Sequence, residues 1–115
     1  TTEQACASAL AAARDTLGAD NGWVVGDGRN VDLPAAVTRL RESGCRHVMA
    51  EGGPTLFGLL LQQGLVDEVA LTWTPMMVGG NEFRMTHGPQ LDVDLTLRTL
   101  LEHESTLLGL WQVRR

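Results

Sequence analysis

The feature that most constrains this fold is an alternation of short apolar runs with helical segments between residues 23 and 64. Helices are predicted at Leu33–Ser43 and Pro54–Gln63, because each is rich in apolar residues, has a proline in its first turn and ends at a glycine. The runs Trp23–Val25 and Arg46–Ala50 are predicted to be short strands. Parallel neighbours in a sheet need a crossover helix between them, so this order predicts an α/β domain whose sheet is mostly parallel.

The N-terminal segment is predicted to form a further helix. Residues 3–17 are rich in alanine, the residue with the highest helix propensity, and several of these alanines can share one side. Thr2 is in position to cap the start of this helix, and Gly18 is in position to end it. The small side chains on that side would let the helix lie close against a sheet.

The C-terminal part of the chain has the pattern of antiparallel strands. Residues Val66–Thr74 alternate between apolar and polar side chains, as a half-buried strand does. Leu95–Leu101 and Thr106–Val113 are further predicted strands, and the polar residues 102–105 between them predict a C-terminal antiparallel hairpin. Residues 79–94 are rich in turn formers and have no clear period, which predicts a long loop.

Composition is typical of a globular protein and argues against a nucleic-acid partner and a membrane-spanning helix. With 115 residues, of which 43% are hydrophobic and 20% charged, the chain is predicted to form one domain without an internal boundary. The net charge of −5 disfavours nucleic-acid binding, and no apolar run is long enough for a membrane-spanning helix. Cys6 and Cys45 have no companions at metal-ligand spacing and are interpreted as buried thiols, so no metal site is expected. These features favour a cytosolic protein.

The segment Val48–Phe57 is the most informative one for function. A predicted strand leads into Glu51, the pair Gly52-Gly53 removes side-chain bulk at the turn, and a helix begins at once with Pro54. Glycines let a ligand approach the backbone, and the free N–H groups at a helix start favour a phosphate group. The same pattern also fits an ordinary tight strand-to-helix turn, and spacing alone does not decide between the two interpretations.

Over a longer stretch the sequence resembles a known family. The run EGGPTLFGLLLQQGLVDEVALTWTPMMVGG, residues 51–80, resembles the signature of the pyrimidine reductase domain of riboflavin biosynthesis, which is similar in fold to dihydrofolate reductase. The resemblance implies a three-layer fold with a mixed, mostly parallel sheet and a C-terminal antiparallel hairpin. It also implies that residues 1–115 are the second half of a single reductase domain, so the chain, which does not begin with Met, is expected to be a fragment.

The resemblance further implies roles for individual residues. Glu51 would face the pyrimidine or its sugar chain, with capping of the following turn as the alternative. Thr1 and Thr2 would lie near the adenosine phosphate of NADPH, with helix capping as an alternative that can coexist. The dihydrofolate reductase fold also implies a cis peptide bond between the two glycines. The residues implied to bind the pyrophosphate and nicotinamide ribose of NADPH, mainly through backbone amides, are Gly52, Gly53, Pro54, Thr55, Leu56 and Gly58.

The function implied by this resemblance is NADPH-dependent reduction of a riboflavin-precursor pyrimidine of the 5-amino-6-(5-phosphoribosylamino)uracil type, with hydride transfer to the ribosyl group. Two alternatives stay open: a non-catalytic nucleotide-binding module of the same fold, and a same-fold reductase for another heterocycle or carbonyl. The expected partners are the missing first half of the domain and a second copy of the chain. A homodimer is expected because the late strands carry more apolar side chains than a peripheral hairpin needs, namely Leu95, Leu97, Leu107, Leu108, Leu110 and Trp111.

Overall fold

The computed structural model describes residues 1–80 and 84–115, which divide into an N-terminal unit, Thr1–Val48, and a C-terminal unit, Met49–Arg115. The N-terminal unit holds two α-helices and a short 3-10 turn: α1 (Ala7–Leu17), Ala19–Asn21 and α2 (Leu33–Glu42). The C-terminal unit holds one helix and three strands: α3 (Pro54–Gln62), β1 (Glu68–Trp73), β2 (Leu95–His103) and β3 (Thr106–Val113). In the described part of the chain, no helix is long and apolar enough to cross a membrane.

The helices predicted at Leu33 and Pro54 are confirmed at their first residues. Each has its proline in the first turn, where the missing N–H costs no helical hydrogen bond. Each is also followed by a glycine with a positive φ, 92° at Gly44 and 65° at Gly64. Only glycine adopts that conformation without strain, so the two glycines end the helices where the sequence predicted.

The N-terminal helix is confirmed, but its predicted start is wrong. α1 begins at Ala7 with Cys6 as the N-cap residue, so Thr2 does not cap it. Residues 3–5 instead form a turn in which the N–H of Ala5 donates to the Thr2 carbonyl oxygen at 3.1 Å. This turn consists of residues 2–5, which helix propensity alone assigned to the helix or its cap.

The predicted strands Trp23–Val25 and Arg46–Ala50 are not strands in the structure. Residues 23–25 nevertheless pair with the first residue, because the Thr1 nitrogen donates to the Trp23 carbonyl at 3.0 Å and the Val25 N–H donates to the Thr1 carbonyl at 2.7 Å. This is the alternating pattern of a parallel pair, confined to one step. Residues 46–50 are exposed throughout. A short apolar run becomes a strand only when a neighbouring strand pairs with it, so neither segment is a sheet strand here.

The sheet of the C-terminal unit has the strand order β1-β3-β2, and both pairings are antiparallel. The predicted hairpin is confirmed, and its two turn residues, Glu104 and Ser105, have positive φ values of 49° and 63°. A carboxylate oxygen of Glu102 accepts the N–H of Ser105 at 2.7 Å and so holds this turn. Helices with a sheet confirm the α/β class, whereas the predicted mostly parallel sheet is not confirmed by the described residues.

One face of the sheet is centred on two tryptophans. Trp73 of β1 and Trp111 of β3 meet edge to face, with ring centroids 6.1 Å apart and planes at 69°. A Cβ at Gly109 would lie 2.7 Å from Trp111 Nε1 and 3.1 Å from the Trp73 ring, so glycine is required between the two indoles. Val69, which faces Trp111 in the register, is 6% exposed and is the buried hydrophobic residue of the described chain.

The same face still carries large exposed apolar side chains. Strand alternation and the register place Trp73, Leu97 and Leu100 on it, and these side chains are 45%, 43% and 51% exposed. These side chains form one contiguous apolar surface, whereas apolar residues on most protein surfaces are scattered singly. The C-terminal unit therefore has an apolar sheet face that its own residues leave largely open.

Candidate functional site

Among the described residues, no side chain caps the start of α3, so its first backbone amides have no partner there. Gly53 is the N-cap residue, and it offers no side-chain hydrogen bond to the first turn. The N–H of Phe57 is bonded to the Gly53 carbonyl at 3.1 Å, whereas the N–H groups of Thr55 and Leu56 precede the first intrahelical bond. The first turn also has no acidic side chain. Free N–H groups, the positive end of the helix dipole and the lack of a competing carboxylate favour an anionic ligand.

The two glycines before this helix have different roles. A Cβ at Gly52 would lie 2.6 Å from Leu56 Cδ2, so the Leu56 side chain occupies the space that a Gly52 side chain would need. A Cβ at Gly53 would have no atom of the described residues within 4 Å, so those residues leave the space beside Gly53 open. The peptide bond between them is trans, and the predicted cis bond is therefore wrong. Gly52 makes room for the protein itself, whereas Gly53 leaves room for a ligand.

Glu51 precedes the glycine pair and is exposed. The alternative role considered for it was to cap the turn that follows. Among the described residues, the start of α3 has no side-chain capping bond. The Glu51 carboxylate is exposed, as a substrate-facing group would need to be.

Gly58, which the sequence resemblance places against the cofactor, lies in α3 against a backbone segment of the same unit. A Cβ at Gly58 would lie 2.9 Å from the carbonyl oxygen of His87. The His87 N–H also donates to the Pro54 carbonyl at 3.1 Å. Sequence reasoning missed this role of His87, and no local signal could have shown it, because the two partners are distant in sequence.

Thr1 and Thr2 belong to the N-terminal unit, whereas Glu51 to Gly58 form one continuous segment of the C-terminal unit. Thr2 is only 8% exposed, and Thr1 is exposed and bonded through its backbone to Trp23 and Val25. The residues around the glycine pair thus lie together in the C-terminal unit, and the two threonines lie in the N-terminal unit. Their role near the adenosine phosphate stays a prediction.

An open depression of about 410 Å³ lies in the N-terminal unit and was not predicted from the sequence. Three of its lining residues are carboxylates, which repel phosphate, so it does not suit a nucleotide's phosphate groups. Within residues 1–80 and 84–115, no group of three or more His, Cys, Asp or Glu side chains could hold a metal ion. The lining residues are Glu3, Val24, Gly26, Asp27, Asn30, Val31 and Asp32.

The two cysteines are exposed, so the interpretation of both as buried thiols is wrong. Cys6 lies at the start of α1, where its sulfur is 2.9 Å from the hydroxyl oxygen of Ser8. The Ser8 side-chain hydrogen bond, followed by the backbone N–H groups of Ala9 and Ser8, lowers the pKa of the Cys6 thiol. These hydrogen bonds favour the thiolate form of Cys6.

Two curated relatives are similar to part of this chain. Both are named 2,5-diamino-6-ribosylamino-4(3H)-pyrimidinone 5′-phosphate reductase. The protein from Methanothermobacter thermautotrophicus is 46% identical over 61 residues, which cover 53% of this chain and 28% of the relative. The protein from Archaeoglobus fulgidus is 41% identical over 52 residues, which cover 45% of this chain and 24% of the relative. The matched stretch is about a quarter of either relative.

Solved structures show the same fold at low sequence identity. A pyrimidine reductase-like protein from Corynebacterium diphtheriae superposes with a TM-score of 0.72 and 21% identity, over 88% of this chain and 43% of that one. RibD from Acinetobacter baumannii superposes with a TM-score of 0.64 and 20% identity, over 84% of this chain and 28% of that one. At these identities the likeness establishes the fold alone.

The family assignment rests on nearly the whole chain rather than on the glycine pair. The family model for the RibD C-terminal domain matches residues 1–108, which include α1, α2, α3, β1, β2 and the start of β3. The relatives named as reductases and the solved pyrimidine reductase-like structure agree with that match. This chain belongs to the RibD C-terminal domain family.

Proposed function

We propose that this chain is the second half of a reductase domain that uses NADPH to reduce a riboflavin-precursor pyrimidine, and that the start of α3 binds the cofactor's phosphate groups. The single observation that carries the proposal is the helix start behind Gly53. There residues 1–80 and 84–115 provide no side-chain cap and no partner for the Thr55 and Leu56 amides, and the first turn has no acidic side chain. The family match and the names of two relatives supply the substrate class.

The residues at this helix start fit a pyrophosphate. Gly53 has open space where a side chain would stand, so a phosphate oxygen can approach the backbone without displacing protein atoms. Gly52 is filled from the other side by Leu56, which holds the turn in place. Pro54 and the exposed Leu56 provide the apolar surface beside it. The match is one of backbone donors to an anion, and it needs no basic side chain from this segment.

Glu51 is proposed to contact the substrate. The bound cofactor would supply a hydride to the ribosyl group, so the protein has to orient two carbons and exclude water rather than provide a nucleophile. An exposed carboxylate next to the phosphate-binding turn can accept hydrogen bonds from the amino groups of a pyrimidine or the hydroxyls of its sugar chain. Thr1 and Thr2 are proposed to contact the adenosine phosphate, a part of the proposal that rests on the resemblance.

The proposal includes two protein partners. The first is the other half of the domain, because this chain spans 43% of the solved pyrimidine reductase-like structure and its aligned stretch is about a quarter of the curated relatives. The second is another copy of the chain. The exposed apolar sheet face with Trp73, Leu97 and Leu100 supports a covering partner of either kind, since such a face is costly to leave in water.

The experiment that tests the cofactor site is the substitution Gly53→Val in the full-length protein. Gly53 has φ −66° and ψ 176°, which valine adopts without strain, and its Cβ would meet no atom within 4 Å, so the variant should fold. The added side chain would stand where the phosphate binds. Calorimetric titration should show NADPH affinity at least about tenfold weaker, roughly 1.4 kcal/mol. Gly28→Val is the matched control, because a Cβ there also meets nothing within 4 Å.

Turnover then separates the candidate functions. Oxidation of NADPH in the presence of the pyrimidine substrate, followed by cofactor absorbance, would support a pyrimidine reductase. Tight NADPH binding without turnover would favour the non-catalytic nucleotide-binding module, and turnover with a different heterocycle or carbonyl would favour the other reductase. A folded Gly53→Val protein with wild-type NADPH affinity would contradict the proposed phosphate site.

A further inference from the structure

The segment Arg84–Leu91 lies against α3 at two points. At the first point, the His87 N–H donates to the carbonyl oxygen of Pro54, the first residue of the helix, at 3.1 Å. At the second, the His87 carbonyl oxygen would be 2.9 Å from a Cβ at Gly58. Between the segment and the helix lies a cavity of about 20 Å³, lined by Gly58, Leu59, Gln62, Thr86, His87, Gly88, Pro89 and Leu91.

The contact at Pro54 involves the turn that carries the free amides. In an α-helix the Pro54 carbonyl already accepts the N–H of Gly58, four residues later. The His87 N–H is thus a second donor to the same oxygen, so the first turn of α3 is bonded both within the helix and to the segment. Movement of His87 would therefore shift the backbone of Thr55 and Leu56, which lie between Pro54 and Gly58.

The glycine at position 58 is unfavourable for the helix by itself. Glycine inside a helix costs about 1 kcal/mol relative to alanine. The close His87 carbonyl explains why the helix carries it, because a backbone carbonyl cannot swing aside as the end of a side chain can. The position where an L-amino acid would have its side chain is therefore taken by protein and is not available to a cofactor.

We infer that Arg84–Leu91 is a positioning element for the cofactor site, and that Gly58 acts by admitting His87 against α3 rather than by contacting the cofactor. This inference rests on the proposed function, since it assumes that the start of α3 binds NADPH. It assigns Gly58 a different role from the one that the sequence resemblance implies. It also assigns a role to the His87 backbone, whose side chain carries no part of the argument.

The test is Gly58→Ala in the full-length protein, with Gly79→Ala as the matched control. Alanine favours the helix, so any loss comes from displacement of His87 and the segment. The KM for NADPH should rise at least about fivefold, while kcat changes less than about twofold and the KM for the pyrimidine is unchanged. The control adds a Cβ that meets no atom of residues 1–80 and 84–115 within 4 Å and should match the wild type in all three values.

A second variant addresses the helix–segment contact from the other side. His87→Pro removes the N–H that donates to Pro54 and leaves the sequence of α3 unaltered. It should raise the KM for NADPH in the same direction as Gly58→Ala. If Gly58→Ala does not fold, His87→Pro decides the inference: a folded His87→Pro protein with the wild-type KM for NADPH overturns it.

Hydrogen exchange followed by mass spectrometry distinguishes positioning from direct contact. In Gly58→Ala, peptides covering residues 84–91 should exchange faster than in the wild type, with or without NADPH. A raised KM with unchanged exchange there would overturn the inference in favour of a cofactor-lining Gly58, and a folded Gly58→Ala protein with the wild-type KM would overturn it outright. A wild-type protein that binds no NADPH overturns the proposed function as well, and the titration of the wild type reveals that case separately.

Discussion

The starts of α2 and α3 are similar in sequence and opposite in chemistry. Both helices have proline in their first turn and an acid shortly before it, Asp32 for α2 and Glu51 for α3. At α2 the carboxylate is the N-cap, and its Oδ1 accepts the N–H of Ala35 at 2.9 Å. At α3 the N-cap is Gly53, which has no side chain to offer, and the acid lies two residues earlier in the chain and is exposed.

The difference shows how one kind of helix start can serve either stability or binding. A carboxylate N-cap satisfies an unpaired N–H and places a negative charge at the positive end of the dipole, so α2 needs no further anion. Replacement of that residue by glycine costs the helix a few tenths of a kcal/mol relative to a good cap and leaves the amides free. α3 lacks that stabilisation, which leaves its first N–H groups available to the phosphate proposed above.

The largest effect is expected when α3 is given the cap that α2 has. Gly53→Asp in the full-length protein should weaken NADPH binding by more than about tenfold, because the new carboxylate takes the amides and repels the phosphates, at a cost above about 1.4 kcal/mol. The same change should raise the free energy of unfolding by a few tenths of a kcal/mol. Calorimetric titration and urea denaturation measure the two effects.

Gly53→Asn is the matched control for charge, since asparagine also caps but carries no net charge. Its effect on NADPH affinity should lie between those of glycine and aspartate. If Gly53→Asp became more stable and still bound NADPH as the wild type does, the start of α3 would be an ordinary uncapped turn.

A smaller effect is expected from the acid that does not cap. If Glu51 contacts the substrate, Glu51→Gln should lower kcat/KM for the pyrimidine at least about fivefold, or roughly 1 kcal/mol of transition-state stabilisation, with NADPH affinity nearly unchanged. Steady-state kinetics with saturating NADPH gives the first value and titration the second. Equal losses in both would instead assign Glu51 to the architecture of the turn.

The smallest effect on function should come from removing the cap of α2. Asp32→Ala leaves the Ala35 N–H without its partner and should lower the free energy of unfolding by about 1 kcal/mol. NADPH affinity and kcat/KM should stay within about twofold of the wild type. A large loss of cofactor affinity in this variant would show that the two helix starts are not separate in function.

The helices and the hairpin were predictable because their signals are local. Pro34 and Pro54 mark helix starts, Gly44 and Gly64 mark the helix ends, and a polar turn between two apolar segments marks the hairpin. The Asp32 cap was not predicted, although its signal, an aspartate directly before the first helical residues, is equally local. The glycine pair has an equally local signal, but that signal fits both a phosphate-binding turn and an ordinary tight turn, so its role as a phosphate site stays a prediction.

The remaining features depend on residues far apart in the chain. Trp23–Val25 and Arg46–Ala50 have the composition of strands, but pairing decides strand formation and a sequence run does not contain its partner. Gly58 has meaning only beside His87, and Gly109 only between two indoles. The cis geometry of the Gly52-Gly53 bond was inferred from the dihydrofolate reductase fold, which the family resembles, and in this chain the bond is trans.

The indole pair makes the C-terminal unit optically distinctive. Two indoles whose centroids are 6.1 Å apart and whose planes cross at 69° couple their excited states, which gives a paired positive and negative band in far-ultraviolet circular dichroism. The third tryptophan, Trp23, lies in the N-terminal unit beneath the guanidinium of Arg39, at 5.5 Å from its ring centroid. The β1–β3 register thus has a spectroscopic signature of its own, by which correct pairing of these strands can be followed in solution without a label.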